Sequence, residues 1–288
     1  MVGAAVLLMP WQSGVLDPKG PVGAAERLIL FNATGIMLAV IVPVIVMTLI
    51  FAWWFRAGNP RAQRLPNWSY SGRLEFIVWS IPAMVVLFLG GIGWIGAHEL
   101  DPPRPLASTA KPVEVDVVSL DWKWLFIYPE QGVASVNRLV VPVGRPIAFR
   151  LTSATVMNSF FVPELGSQIY LMSGMTTRLH LQADRPGVYP GLSAQFSGDG
   201  FSDMRFDVLA ESEDGFAAFV ARAKAQGGLL DAAGYARLAL PSQAVAPATY
   251  GAVAPGLFDV IAAGPMSAPT PAMAMPASYP DTATDPGK

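Results

Sequence analysis

The chain of 288 residues contains no cysteine and only two histidines. The missing cysteine excludes disulfides, thiolate metal sites, cysteine nucleophiles and thioether-linked lipid anchors. Two histidines leave little room for a zinc, iron or copper site built on imidazoles. The formal net charge of −2 supplies no basic face, which argues against a nucleic-acid partner.

Charge is also scarce, because charged residues make up 14% of the chain, against about 25% in ordinary soluble domains. About 28 residues between Arg27 and Arg56 are uncharged, and a second uncharged stretch of roughly 23 residues lies between Glu75 and Glu99. Each is long enough to cross a bilayer and too long for a buried core helix to be the better interpretation. The sequence therefore predicts a membrane hairpin over residues 25–100, with helices at about 28–55 and 76–97.

The connector between the two helices, residues 56–73, indicates the orientation in the membrane. It carries four arginines and no acidic residue, so the positive-inside rule places it in the cytoplasm. Both termini, including the N-terminal segment 1–24, then lie on the outer side of the membrane, which is the periplasm if the cell is Gram-negative. Residues 2–9 are apolar but lack the basic region of a signal peptide, so the first helix is expected to act as an uncleaved insertion signal.

From about Lys111 the composition changes to short alternating runs separated by proline and glycine. Such runs predict an antiparallel β-sandwich or barrel, with strands at 113–117, 139–143, 147–151, 160–162, 178–182 and 204–209. An amphipathic helix is predicted at 214–225, within a helical segment 213–240, with one apolar face formed by Phe216, Phe219, Val220 and Ala223. The Ala- and Pro-rich tail, residues 241–288, is expected to be largely disordered or to drape over a partner.

Two runs in the exported part have a recognisable pattern. They are Asn-Ser-Phe-Phe-Val-Pro-Glu-Leu-Gly at 158–166 and Arg-Pro-Gly-Val-Tyr at 185–189. Together with the hairpin, they make residues 14 to 240 resemble subunit II of the haem-copper respiratory oxidases. In the branch that oxidises cytochrome c, the exported sandwich has a cupredoxin fold and holds a two-copper centre that receives electrons. The resemblance implies an α+β membrane protein with a cupredoxin-like antiparallel sandwich over 111–212.

The copper motif of that branch is a His before Ser-Phe/Trp-x-x-Pro, then Cys-x-Glu-x-Cys, a second His and a Met. Its first Cys position follows its first His position by the same 35 residues that separate Asn158 and Ser193. Copper there needs thiolates and imidazoles, and hydroxyls, amides and a phenyl ring do not replace them. The resemblance therefore implies a degenerate site with no metal, because the motif positions hold Asn158, Ser193, Gln195, Ser197, Phe201 and Met204.

Longer runs at 16–20, 121–132, 156–161 and 165–170 are similar to the quinol-oxidising branch, in particular subunit II of the cytochrome o (bo-type) ubiquinol oxidases. This resemblance implies a non-metal subunit of a proton-pumping complex that oxidises ubiquinol and reduces dioxygen to water. Its role is structural and in assembly. The haems and the remaining copper belong to subunit I, no cofactor belongs to this chain, and its partners are subunits I, III and IV and membrane lipid, without cytochrome c.

The same resemblance gives individual residues candidate roles. Glu75 matches a glutamate near the mouth of a proton pathway into subunit I. Alternatively, its carboxylate only interacts favourably with the positive N-terminus of its helix. Trp122 and Trp124 match an aromatic segment near the electron-accepting surface of the copper-bearing relatives and are expected to pack against the sandwich or subunit I. Asn32, polar within the first span, is a candidate for a helix–helix hydrogen bond. No residue is expected to be catalytic.

Two other interpretations compete with this one. A copper-bearing cytochrome c oxidase subunit II is disfavoured by the missing ligands. A membrane-anchored, cupredoxin-like scaffold or receptor is disfavoured only by the length of the resemblance.

Many quinol-oxidase relatives also carry a lipidated cysteine just before Leu-Asp-Pro-Lys-Gly, and the corresponding position here is about Trp11, which excludes that lipidation.

Overall fold

A computed structural model describes residues 14–63 and 67–264. A 3-10 turn, Gly14–Leu16, precedes two long helices, α1 (Pro21–Trp54) and α2 (Gly72–Glu99), both long and apolar enough to cross a membrane. Both helices begin earlier than predicted. A proline at the first position starts α1. Glu75 lies inside the first turn of α2, because a carboxylate stabilises the positive N-terminus of a helix rather than marking its boundary.

A β-sandwich follows the hairpin. In the described part of the chain its strands are β1 (Val113–Leu120), β2 (Lys123–Tyr128), β3 (Val133–Val136), β4 (Arg138–Pro142), β5 (Ile147–Ser153), β6 (Asn158–Phe161), β7 (Ile169–Leu171), β8 (Thr177–Leu181), β9 (Gly187–Ser193), β10 (Arg205–Glu211), β11 (Gly228–Leu230) and β12 (Ala248–Val253). One sheet has seven strands in the order β11-β12-β3-β2-β1-β5-β8, and the other has five in the order β4-β10-β9-β6-β7.

Each of the six predicted strands overlaps a strand of the structure, but the sheets are mixed rather than purely antiparallel. β1 pairs with β5, β4 with β10 and β11 with β12 in parallel. Parallel neighbours need a long crossover connection, and periodicity along one strand contains no information about its neighbour's direction. The expected cupredoxin-like sandwich is confirmed, with these parallel pairs as a refinement.

The central strands of the seven-stranded sheet are buried on both faces. Its inner face packs against the second sheet through a core that includes Trp124, Phe126 and Phe160. Its outer face carries a second apolar cluster that includes Leu125 and Ile127. Because neighbouring residues of β2 point to opposite faces, all six of them are buried. This strand shows no polar alternation, which explains why the periodicity did not predict it.

Up to residue 264, the exported part also contains three α-helices: α3 (Glu213–Gln226), α4 (Ala232–Leu238) and α5 (Leu257–Ala262). The predicted helix at 214–225 is confirmed by α3, whose Ser212 cap accepts a hydrogen bond from the Gly215 amide. Of its predicted apolar face, Phe216, Phe219 and Ala223 are buried and Val220 is partly buried.

The prediction that the chain is largely disordered beyond residue 241 is wrong for residues 248–262. β12 pairs antiparallel with β3 and parallel with β11, and backbone hydrogen bonds of a strand need no particular side chains. Leu257, Phe258 and Ile261 of α5 then cover the outer face of the seven-stranded sheet. The rest of the predicted tail, residues 265–288, lies outside the described residues.

Candidate functional site

The sandwich brings the positions of the copper motif together at one end. Asn158 starts β6 and Ser193 ends β9, and their side chains meet because these two strands are antiparallel neighbours. The Ser193 hydroxyl donates to Asn158 Oδ1 at 3.1 Å, and the Gln195 carbonyl oxygen lies within 3.2 Å of the same hydroxyl. Asn158 and Ser193 are only 1% and 3% exposed, so this contact is largely shielded from water.

The amide of Asn158 also uses its donor side. Asn158 Nδ2 donates to Ser119 Oγ at 3.3 Å and to the Val156 carbonyl oxygen at 3.2 Å. A buried polar group needs such partners, because leaving one unpaired is costly. The polar side chains at these positions therefore satisfy one another within the chain.

The loop after β9 carries the remaining motif positions. Ser197 Oγ lies 3.8 Å from the thioether sulfur of Met204, which is 1% exposed. Phe201 forms an edge-to-face pair with Phe196, with ring centroids 5.6 Å apart, and Phe196 is 72% exposed. The loop thus buries its methionine and presents a phenylalanine pair at its outer side.

Trp122 holds this loop from the turn between β1 and β2. Its Nε1 donates to the Ser197 carbonyl oxygen at 3.0 Å. A β-carbon added at Gly200 would lie 2.5 Å from its indole ring, so only glycine lets the loop approach so closely. The backbone of Trp122 has φ 61°, which is uncommon for an aromatic residue. The strained turn aims the indole at the loop.

Trp124 lies deeper and belongs to the core between the sheets. It is fully buried, its Nε1 donates to the Met204 carbonyl oxygen at 3.4 Å, and its ring contacts Phe160 and Phe206 at centroid distances of 5.6 and 5.4 Å. Its polar atom thus has a partner while the ring packs among aromatic neighbours. The structure places one tryptophan against the loop and the other beneath it.

A buried lysine, which the sequence reasoning missed, lies next to this site. Lys123 is 1% exposed, and its Nζ donates to the Leu240 carbonyl oxygen at 2.7 Å and to the Ser242 hydroxyl. Burial lowers its pKa, and the carboxylate of Asp121 opposes that shift. In the sequence, Lys123 stands out only as a charged residue in an otherwise apolar run. That position is compatible with a buried side chain as well as with an exposed one.

The residues at these positions do not fit the two-copper centre of the copper-bearing branch. They offer two hydroxyls, two amides, one phenyl ring and one thioether, whereas that centre needs thiolates and imidazoles. The hydroxyl of Ser193 already donates within the chain. Within residues 14–63 and 67–264, no group of three or more His, Cys, Asp or Glu side chains is placed to hold a metal ion.

The other candidate residues lie on the hairpin, far along the chain from this cluster. Glu75 is exposed in the first turn of α2, and its backbone amide donates to the Ser71 carbonyl oxygen at 3.0 Å. It lines a small cleft of about 180 Å³ together with Trp68 and Tyr70. Asn32 is exposed on α1. The structure therefore does not bring Glu75 or Asn32 together with the motif positions of the sandwich.

Two family models match the exported part. "Cytochrome C oxidase subunit II, periplasmic domain" matches residues 114–210, and "COX Aromatic Rich Motif" matches residues 224–266. Among solved structures, the periplasmic domain of subunit II of cytochrome oxidase from Bradyrhizobium japonicum aligns with 42% of this chain and 99% of its own, at 23% identity and a TM-score of 0.39.

Sequence relatives cover both the hairpin and the sandwich. The cytochrome bo(3) ubiquinol oxidase subunit 2 of Pseudomonas aeruginosa is 51% identical over 257 residues, which are 89% of this chain and 78% of that protein. Ubiquinol oxidase subunit 2 of Acetobacter aceti is 49% identical over 265 residues, 91% of this chain and 86% of that protein. The chain thus belongs to the subunit II family of the ubiquinol oxidases, within the haem-copper oxidases.

Proposed function

We propose that this chain is the non-metal subunit of a membrane complex that oxidises ubiquinol, reduces dioxygen to water and moves protons outward. The observation that carries the proposal is the buried hydrogen bond between Ser193 and Asn158 at the centre of the motif positions. In this sandwich, side chains at the copper-ligand positions form hydrogen bonds with each other. It therefore offers no copper site that could accept electrons from cytochrome c. Electrons would then come from ubiquinol in the membrane, through subunit I.

The chain's own role is structural and in assembly. The most apolar stretches of both helices have no buried residues in the isolated chain, so most of their surface is open to lipid and to subunit I. Subunit I binds the haems and the copper, and subunits III and IV complete the complex, whereas this chain supplies no cofactor and no catalytic residue. Asn32 is available for a hydrogen bond to a helix of subunit I, a type of bond that contributes about 0.6 kcal/mol on average.

The proposed location is the bacterial inner membrane, with the connector in the cytoplasm and the termini in the periplasm. The α1 end near Gly20 and the α2 end near Glu99 lie on the same side as the sandwich. The Gly23 amide donates to the Leu165 carbonyl oxygen at 3.1 Å, and the His180 amide donates to that of Pro102 at 3.1 Å. A hairpin with both of these ends beside one exported domain fits this orientation.

Glu75 is proposed to collect protons at the cytoplasmic surface for a pathway in subunit I. An exposed carboxylate at a membrane interface can exchange protons with water and pass them on. Glu75→Gln should slow both quinol turnover and proton uptake by the assembled complex, while Glu99→Gln at the other end of α2 should change neither. If turnover and proton uptake are unchanged in Glu75→Gln, Glu75 does not collect protons. Its role is then limited to stabilising the positive N-terminus of its helix.

The experiment that tests the proposed function is oxygen uptake by the detergent-purified complex, supplied with ubiquinol or with reduced cytochrome c. We expect uptake with ubiquinol alone, together with haem absorption in the same preparation. Uptake with cytochrome c would overturn the proposal, because another copper-bearing chain would have to be present. A stable chain purified without haem and without uptake would instead support the scaffold or receptor.

A further inference from the structure

The connector between α1 and α2 concentrates positive charge at one end of the hairpin. Arg56, Arg61, Arg64 and Arg73 lie there, and no acidic residue lies between the first and the last of them. Of the three arginines that the structure describes, none has a carboxylate of a described residue within ion-pair distance. The opposite end of the hairpin is mixed in sign, with Glu26, Arg27, Glu99, Asp101 and Arg104. The surplus of positive charge is therefore local.

Exposed aromatic side chains surround this charge. Trp53 is 62% exposed, Trp68 59% and Tyr70 71%. Tryptophan and tyrosine favour the headgroup level of a bilayer, where an amphipathic ring meets both lipid and water. The Cζ atom of Arg56 lies 5.0 Å from the Trp53 ring centroid, and its Nη1 donates to the Trp53 carbonyl oxygen at 3.1 Å. The indole thus packs against the guanidinium, and a tryptophan at headgroup level would keep that charge at the bilayer surface.

A cleft of about 730 Å³ opens beside this arginine. Phe55 and Trp68 form its apolar wall, and Arg56, Asn59 and Gln63 supply polar groups. Asn59 stiffens the turn, because its Nδ2 donates to the Trp54 carbonyl oxygen at 2.6 Å and its Oδ1 accepts from the Arg61 amide at 3.1 Å. Within the described residues Arg56 uses one donor, which leaves most of a planar fork that suits phosphate oxygens.

We propose that this cleft binds the headgroup of an anionic phospholipid. The connector joins two membrane helices and therefore lies at the bilayer surface, where lipid is the nearest ligand. A zwitterionic headgroup carries its own cation, which the surplus arginines repel, whereas an anionic headgroup complements them. The assignment to the cytoplasmic leaflet rests on the proposed orientation of the hairpin.

The test uses the whole complex, reconstituted in phosphatidylcholine nanodiscs with a photoactivatable phosphatidylglycerol or a phosphatidylcholine analogue of the same acyl chains. Crosslinked peptides are mapped by mass spectrometry. We expect the phosphatidylglycerol analogue to label residues 56–73 preferentially, and labelling to fall by about fivefold for each arginine removed in Arg56→Gln/Arg61→Gln. The double variant Arg178→Gln/Arg222→Gln, which alters exposed arginines of the exported part, should leave labelling unchanged. Haem content per complex checks the assembly of each variant.

Equal labelling by the two analogues, or labelling that the Arg56→Gln/Arg61→Gln variant retains, would overturn the proposal. A connector that neither analogue reaches would also overturn it and would assign the cleft to a neighbouring protein. Both leaflets of a nanodisc have the same composition, so an error in the proposed orientation would not abolish labelling. That error would appear separately, as reaction of an Asn67→Cys variant with a membrane-impermeant thiol reagent added outside intact cells. Labelling also needs no turnover, so its failure differs from failure of the quinol-oxidase assignment.

Discussion

At the scale of single residues, the hydrogen bonds of Asn158 explain how polar side chains can occupy buried positions of the copper motif. Its amide accepts from Ser193 and donates toward Ser119 and the Val156 carbonyl oxygen. The residue thereby connects β6, β9 and β1 at a place with almost no access to water. Such a network is stable only while each member keeps its partner.

Asn158→Ala should lower the free energy of unfolding of the exported domain by about 1 to 3 kcal/mol, because it removes the buried partner of the Ser119 hydroxyl and one of the two acceptors near the Ser193 hydroxyl. The measurement is the urea dependence of protease cleavage within the exported domain of the purified complex. Thr176→Ala, at an exposed turn, is the control and should change this free energy by no more than about 0.5 kcal/mol. Equal effects of the two substitutions would mean that the network contributes little to stability.

Lys123 makes stability depend on pH in the alkaline range. Burial lowers the pKa of this lysine from its ordinary value of 10.5. Between the lowered and the ordinary pKa, the unfolded chain binds more protons than the folded one, so the free energy of unfolding rises with pH. The same urea measurement on the wild type and on Lys123→Met should show the wild type gaining relative to the variant as the pH rises toward the ordinary pKa of 10.5. A constant difference across this range would contradict the prediction, and Lys224→Met, at an exposed lysine, is the control.

At the scale of elements, the C-terminal part of the chain forms the second cover of the seven-stranded sheet. Its helix α5 is held by an arginine on that sheet. Arg150 donates to both carboxylate oxygens of Asp116, at 2.7 and 2.8 Å, and to Asp259 of α5 at 3.2 Å. Its Cζ lies 4.6 Å from the ring centroid of Phe258. A helix of six residues is too short to be stable alone, so these contacts keep it in place.

Phe258→Ala should lower the free energy of unfolding of the exported domain by about 3 to 5 kcal/mol, the usual cost of truncating a buried aromatic side chain. Phe258 is 3% exposed, whereas Val260 of the same helix is 72% exposed. Val260→Ala is therefore a matched control and should change stability by less than about 0.5 kcal/mol. If the urea-dependent cleavage of the two variants shifts equally, α5 is not part of the cooperative unit.

At the scale of the whole molecule, the segment before α1 ties the hairpin to the sandwich. The Lys19 amide donates to the Glu164 carbonyl oxygen at 2.7 Å, and the Asp184 amide donates to the Lys19 carbonyl oxygen at 2.7 Å. Glu26 of α1 adds a third bond, because its Oε1 accepts from the Ser167 amide at 3.1 Å. The membrane and exported parts are therefore joined both at the start of α1 and after the end of α2, rather than by a single linker.

Gly20→Ala should loosen this junction. An added β-carbon would lie 2.0 Å from the Gln182 carbonyl oxygen, a backbone atom that cannot rotate away. Overpacking of this kind costs about 1 to 3 kcal/mol, so hydrogen exchange of the Asp184 amide should accelerate by about tenfold for each 1.4 kcal/mol lost. Gly228→Ala, where nothing lies within 4 Å of the added carbon, should leave that amide unchanged. Slow exchange in the Gly20→Ala variant would mean that the segment shifts without releasing the amide.

Features with a local physical cause could be predicted from the sequence. The two membrane helices follow from uncharged stretches of sufficient length, which only a bilayer or a large core can accommodate. The strands predicted at 113–117 and 178–182 follow from polar alternation, and the other four follow from short runs bounded by proline and glycine. The relation between Asn158 and Ser193 was implied only by the resemblance to the copper motif, whose interval of 35 residues these two positions keep.

The tertiary structure alone decided what depends on contacts between distant parts of the chain. β2 could not be identified by alternation because the second cover buries its other face as well. The order of residues 248–262 comes from strand pairing with β3 and from an apolar face, and only the folded sheet provides both. Single hydrogen bonds also join distant parts of the chain, since Asn137 Nδ2 donates to the Val245 carbonyl oxygen at 2.8 Å. Such a bond leaves no periodic signal, because its partners are neighbours in space and not in sequence.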